Sequence, residues 1–289
     1  MVPREPGTAA MREVAVAAAE AAGSLLWSGR RDHAPEVRGK GLDGDVVTDL
    51  DEAAERVIIK RIRAAYPDHT IVAEETGVHE AGGSRWTWLV DPLDGTNNIA
   101  IGLPVYVVGI ALCRDGLPLV GVVHDPERGQ TWSAIRDVGA EGPGGARAVP
   151  AAPRVSAAPL LAWTQGHEVS RGDPRARALK LALEARSRRL LQLWAPLVSW
   201  LMLARGDIDG FVGYRAEAVD LPAGMLIAQE AGLAVRDLRG HPFDARIGRP
   251  AEDRSFVAAR PELLDRILDW VQAGHELERE LSAAWPPGE

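Results

Sequence analysis

Apolar positions recur at helical spacing over residues 8–28, with Met11, Val14, Ala18, Leu25 and Leu26 on one stripe. The same period returns over 50–65, where Ala54, Val57, Ile58, Ile62 and Ala65 share a face and Pro67 stops the helix. Residues 29–44 between them are polar and glycine-rich and read as a loop. The pattern then changes to short apolar runs. Residues 70–73, 88–90, 105–113, 119–124 and 130–135 read as strands, with Asp115-Gly116 as a hairpin turn. Residues 136–153 carry Gly, Pro and Ala without a period and read as a surface loop near a domain boundary.

From residue 160 onward strand and helix patterns alternate. Strands are expected at 160–165, 190–194, 210–213, 234–237 and 256–259. Helices are expected at 174–186, 197–205, 221–231 and 261–281, the last with proline at its start. This alternation predicts an α/β layer. The chain therefore divides into an α+β half, residues 1–150, and an α/β half, residues 151–289. Its 289 residues suit one large or two medium domains.

Composition narrows the function classes. Hydrophobic residues make up 46% and charged residues 26%, as in ordinary globular proteins. A net charge of −8 argues against a general nucleic-acid or anionic-membrane binder. No apolar run reaches the ~18 residues of a membrane span. Residues 1–8 lack a signal pattern and read as a disordered lead-in. The single cysteine, Cys113, lies in an apolar run, excludes an intrachain disulfide and reads as core. A cytoplasmic location fits these features. Lys40, Lys60 and Lys180 are the only lysines.

The chemistry concentrates in residues 86–96, WTWLVDPLDGT. An apolar strand runs into Asp91, a proline interrupts regular structure, and Asp94 follows with Gly95 and Thr96 behind it. Two carboxylates on one tight turn repel each other unless a cation sits between them. Hard divalent cations such as Mg²⁺ take oxygen ligands of this kind. Gly95 and Thr96 offer backbone N–H groups where a helix begins, a cradle for phosphate. The seven histidines are scattered without metal-ligand spacing, and no Gly-x-Ser-x-Gly elbow or nucleotide-binding glycine loop is present.

WLVDPLDGT resembles the signature of the inositol monophosphatase family, within the Mg²⁺-dependent, lithium-sensitive phosphatase superfamily. Three further segments stand in that family's order: GDVVTDLD at 44–51, IVAEE at 71–75, and VDLPAG at 219–224 with EAG at 230–232. The resemblance implies a layered α-β-α-β-α sandwich of the inositol monophosphatase and fructose-1,6-bisphosphatase type. It implies two or three Mg²⁺ ions. Glu74, Asp91 and the Leu93 carbonyl would hold the first, and Asp91, Asp94 and Asp220 the second, with a weaker third near Glu74. Asp51 and Thr96 match the pair that activates the attacking water, with Glu74 assisting as base. Gly95 and Thr96 would bind phosphate oxygens. Lys40 matches a site-lining position, with a solvated loop lysine as the alternative. Asp45 and Glu75 read as supporting acids.

The substrate wall departs from the family pattern. A Gly-Thr-Ala run is replaced by Trp194, Ala195 and Pro196. Gly213 stands where inositol-type members carry a hydroxyl-binding Glu, and Val219 replaces a Trp. Glu217 offers a carboxylate from another angle, and Tyr214 and Arg215 are candidates for the rim. Trp194 either presents a flat face to substrate or packs inward. These changes shift preference away from myo-inositol monophosphate. The expected function is hydrolysis of a small phosphate ester of a sugar, cyclitol or nucleoside. Histidinol-phosphate or 3′-phosphonucleotide hydrolysis, and a non-catalytic scaffold or metabolite sensor, are the alternatives. A homodimer without nucleic-acid or membrane partners is expected.

Overall fold

Two N-terminal helices, Thr8–Asp32 (α1) and Asp49–Ala65 (α2), flank a small antiparallel ribbon of Val37–Lys40 (β1) and Asp45–Thr48 (β2). The computed structural model describes residues 7–32, 35–40, 45–148 and 158–284. The lead-in expected at 1–8 therefore lies outside the described residues up to residue 6, and Thr8 already begins α1. Helix α1 outruns its expected end because Gly29 lets it close on α2: a Cβ there would meet Leu50 at 2.5 Å.

The larger sheet has seven strands: Thr70–Ala73 (β3), Gly77–His79 (β4), Trp86–Asp94 (β5), Val107–Arg114 (β6), Leu117–Asp125 (β7), Gln130–Ile135 (β8) and Gly139–Glu141 (β9). Their order is β4-β3-β5-β6-β7-β8-β9, and only β3 and β5 run parallel. Strands β4 and β9 and the β1–β2 ribbon fall where loops or nothing regular were expected. Each is three or four residues long and lacks a usable period. Asp115 and Gly116, both at positive φ, make the β6–β7 hairpin as read from the sequence.

The second sheet joins Leu160–Gln165 (β10), Arg189–Leu191 (β11), Gly210–Tyr214 (β12), Ala234–Arg236 (β13) and Phe256–Ala259 (β14) in the order β11-β10-β12-β14-β13. Strands β11, β10 and β12 are mutually parallel. The helices are Thr96–Ala100 (α3), Pro174–Glu184 (α4), Pro196–Arg205 (α5), Pro222–Glu230 (α6) and Pro261–Ala284 (α7).

Apolar contacts set the layers. Helices α1 and α2 cover one face of the seven-stranded sheet, where Leu26, Ile58, Ile62, Trp88 and Ile110 pack. Helices α5 and α6 fill the space between its other face and the five-stranded sheet, around Trp200, Leu226, Phe211 and Phe256. Helices α4 and α7 cover the outer face of the smaller sheet. The result is the five-layer α-β-α-β-α sandwich. Sequence explains the middle layer: PLVSWLMLAR and PAGMLIAQE are apolar nearly all round, as helices buried on both sides must be. The two halves thus share a core, and the division expected near residue 150 falls against 149–157, outside the described residues.

Gly121 of β7 seats α6. A Cβ there would lie 2.6 Å from the Ala223 carbonyl oxygen, backbone against backbone, so no rotamer change relieves it. Gly121→Ala is expected to cost about 1–3 kcal/mol in urea unfolding. An unchanged midpoint would mean that α6 is not seated on β7 in this way.

Candidate metal centre and substrate cavity

The centre forms where parallel strands end. Strand β3 delivers Glu74 one residue past Ala73, and its parallel neighbour β5 delivers Asp91 and Asp94. The strand does not stop at Pro92, as its chemistry suggested, but bulges. Asp91 pairs Gly109 while Asp94 pairs Val107, so three steps on β5 match two on β6. Proline, lacking an N–H, is tolerated at such a bulge. The extra residue also shifts the side-chain alternation, so that Asp91 and Asp94 face the same way instead of opposite ways.

Asp220, just before α6, completes the group. One carboxylate oxygen from each of Asp91, Asp94 and Asp220 lies within 4.8 Å of the others. Asp91 and Asp94 are buried. Burial, then the neighbouring charges of Glu74, Asp94 and Asp220, push the Asp91 carboxyl far above the usual range. Burial and Asp220 do the same to Asp94, against the opposing N–H of Leu197. An all-oxygen set this strained in the absence of counter-charge fits a hard divalent cation.

Asp91, Asp94 and Glu74 are each held by a further contact. Asp91 accepts the N–H of Leu93 at 3.0 Å. Asp94 accepts the N–H groups of Leu197 at 2.6 Å and Val198 at 3.3 Å, at the start of α5. Glu74 is bridged by Lys40 Nζ at 3.1 Å, which also reaches Glu75 at 2.9 Å. Burial alone would lower Lys40, but Glu74 and Glu75 outweigh it and hold it well above its ordinary value. Burial pushes Glu75 up to about 7 despite Lys40. Lys40 thus sits against the acids, not loose in solvent. The Asp45 side chain lies outside the described residues.

Asp51 is buried in the first turn of α2 and accepts both the N–H and the hydroxyl of Thr48. Its other oxygen accepts the Thr96 hydroxyl at 2.7 Å, and Thr96 also lies 3.0 Å from the Leu93 carbonyl. Gly95, at φ 113°, caps α3, and a Cβ there would meet the Val105 carbonyl at 2.5 Å. Both conformation and space require glycine.

A cavity of about 500 Å³ opens from this centre. Glu74, Asp91, Leu93, Asp94, Gly95, Thr96 and Asp220 line one end. The opposite wall comes from the carboxyl ends of β10, β11 and β12, the usual place for ligands in parallel sheets. Of the expected substrate residues, Trp194 and Glu217 line it. Trp194 is 64% exposed and does not pack inward. Its φ of 50° is left-handed, a conformation natural to the glycine of the family run and strained for Trp.

Lys40, although it contacts Glu74, does not line the cavity, and neither do Gly213, Tyr214 and Arg215, a correction to the sequence reading. Gly213 faces Phe256, whose ring would lie 2.2 Å from a Cβ there, so the space a Glu would need is filled. Tyr214 is buried and stacked on Trp163, and the Arg215 guanidinium lies over the Tyr214 ring. Sequence reasoning missed Gln165, Arg171, Lys180 and Gln192, which do line the wall. It also missed Asn98, which donates to the Leu193 and Val105 carbonyls and ties the wall to the metal strand. The expected strand at 160–165 was a usable signal for Gln165, since the residues at its carboxyl end face the cleft.

Two outcomes follow for the isolated chain. Folded Asp91 and Asp94 bind protons more tightly than unfolded carboxylates, so stability falls as pH rises from the unfolded carboxylate range through the raised folded values. The Mg²⁺-induced gain in Tm over EDTA should therefore grow with pH across that window; a gain independent of pH would contradict the reading. Trp194→Gly should keep or raise Tm, by relief of about 1–3 kcal/mol of backbone strain, while KM for a phosphate ester changes. A fall in Tm would place Trp194 among structural residues.

Comparison with known proteins agrees with this geometry. The sequence profile of the inositol monophosphatase family matches residues 8–275. The chain is 34% identical over 264 residues to the Nus factor SuhB of Pasteurella multocida, covering 91% of this chain and 96% of that one. It is 36% identical over 264 residues to the Nus factor SuhB of Haemophilus influenzae, with the same coverage. Among solved structures, the extragenic suppressor protein suhB of Bartonella henselae superposes with a TM-score of 0.80 at 25% identity, covering 91% and 98% of the two chains. The Thermotoga maritima IMPase superposes with a TM-score of 0.76 at 26% identity, covering 91% and 97%. Fold, acidic centre and sequence agree, and the chain belongs to the inositol monophosphatase family.

Proposed function

We infer that this chain is a Mg²⁺-dependent phosphomonoesterase acting on a small phosphorylated metabolite, a sugar, cyclitol or nucleoside phosphate. The supporting observation is the meeting, in one cavity, of the Asp91–Asp94–Asp220 group with the Asp51–Thr96 pair. Two or three divalent cations held by Glu74, Asp91, the Leu93 carbonyl, Asp94 and Asp220 would neutralise phosphoryl charge and acidify water.

The chain's own groups do the rest. The Thr96 hydroxyl donates its hydrogen bond to the Asp51 carboxylate, so its oxygen lone pairs are left to accept a hydrogen bond from the attacking water. Glu74, steadied by Lys40, faces the same water as a base. The N–H groups of Gly95 and Thr96 hold phosphate oxygens at the start of α3. Attack is direct and in line, with catalysis resting on position and charge. Gly213 supplies no hydroxyl acceptor where inositol-type members carry a Glu, and the Phe256 ring fills the space beside it, which disfavours inositol phosphate as the preferred substrate. A cytoplasmic homodimer belongs to the same reading, as does inhibition by lithium.

A second reading rests on the names of the relatives, Nus factors rather than phosphatases. In that reading the fold serves as such a factor without turnover, and the expectation of no nucleic-acid partner, drawn from net charge, does not bind it. Against it stands the whole acidic set, costly for a chain that has no cation to hold.

Phosphate release with Mg²⁺ across a panel of phosphomonoesters tests the choice. Asp94→Asn keeps a carbonyl oxygen for the α5 N–H groups and should fold, with turnover reduced by about a thousand-fold or more. Near-normal rates in Asp94→Asn would refute the metal assignment. No turnover of any ester by the wild type, with metal bound, would favour the second reading.

A further inference from the structure

The wall opposite the acidic centre carries a cation without an ionic partner. Lys180, on α4, lines the cavity. Its ammonium meets the Gln165 side-chain oxygen at 3.0 Å and lies 5.9 Å from the centre of the Trp163 ring. No carboxylate pairs with it among the described residues. Asp173, the acid that most favours its charge, is committed to capping α4 through the Ala176 N–H at 2.7 Å. Burial, with Arg177 nearby, holds Lys180 below the usual lysine range. Lysines are mostly exposed to water, and this one instead lines a concave cavity.

Its surroundings are fixed rather than loose. Gln165 ends β10, its oxygen also lies 3.4 Å from Trp163 Nε1, and its amide nitrogen reaches the Val169 carbonyl at 3.5 Å. Trp163 is itself buried and stacked on Tyr214. Arg171 adds a second cation on the same wall. The one carboxylate on this wall among the described residues, Glu217, already accepts the His167 N–H at 2.8 Å. The cavity, at about 500 Å³, exceeds what a phosphate alone requires. One end is acidic and calls for cations and a phosphoryl group; the other sets Lys180 and Arg171 against the single carboxylate of Glu217 and so is positive on balance.

We propose that Lys180, set by Gln165 and Trp163, binds a second anionic group of the substrate, so that the preferred phosphomonoester carries a phosphate or carboxylate remote from the scissile phosphate. This rests on the phosphatase reading and deepens it. Trp194, exposed on the same cavity, offers a flat face to the body of such a substrate. Arg215, the cation expected in this role from sequence, lies over Tyr214 instead.

One sugar skeleton tests it. Glucose 1-phosphate, glucose 1,6-bisphosphate and glucuronic acid 1-phosphate share the phosphate at position 1 and differ at position 6 in a hydroxyl, a phosphate or a carboxylate. In the wild type with Mg²⁺, kcat/KM should favour a doubly charged sugar by about ten-fold or more, the favoured one identifying the second group. Lys180→Met should abolish most of that ratio, and Lys180→Arg should keep it, which a merely structural role would not predict. Should Lys180→Met fail to fold, rising NaCl must lower the wild-type ratio. Equal kcat/KM for the three sugars, or a ratio unmoved in Lys180→Met or by salt, overturns the proposal and leaves the phosphatase reading standing. If no sugar is turned over, that reading is the one in question, and calorimetry with the same three compounds decides for Lys180. Tighter binding of a doubly charged sugar by wild type than by Lys180→Met sustains the proposal; equal binding overturns it.

Discussion

Carboxylates taken out of water and brought within 4.8 Å of one another repel, and the fold spends much of its design holding Asp91, Asp94 and Asp220 in that position. The bulge at Pro92 turns two of them to one side. Helix α6, seated by close approach at Gly121, brings the third. The N–H groups aimed at Asp94 offset only part of what burial and Asp220 impose. The arrangement makes physical sense with hard cations bound.

The two sheets contribute in different ways. The parallel pair β3–β5 ends in the acidic centre, and the parallel set β11-β10-β12 ends in the opposite wall. Between them, α5 starts on Asp94 with its first N–H groups, directly after the strained Trp194. The cavity wall is thus hydrogen-bonded to Asp94 of the acidic centre, and Asn98 adds a second tie through the Leu193 carbonyl. The acidic centre and the facing wall are joined through backbone contacts, so their relative geometry is set by the fold and not by free side chains.

Much of this was legible in the sequence because strong local signals agreed. Long apolar stripes gave α1 and α2, the run from 105 to 113 gave β6, and four acidic motifs in register gave the centre. What escaped depended on packing across the chain. Three-residue strands such as β4 and β9 exist only as partners of longer neighbours. Gly213 was read from its place in the family pattern, yet the Phe256 ring that fills the space beside it lies forty-three residues on and cannot be seen from spacing. Lys180 lay hidden on an ordinary amphipathic helix, its place at the cavity decided by which face of α4 meets the end of β10.

Growing crystals with Mn²⁺ in place of Mg²⁺ and recording an anomalous difference map tests the central claim most directly. The account predicts anomalous density between Asp91, Asp94 and Asp220, within bonding distance of their oxygens, and its loss in Asp94→Asn. A map without density there, at saturating Mn²⁺ and with the acidic side chains ordered in the same positions, would contradict it.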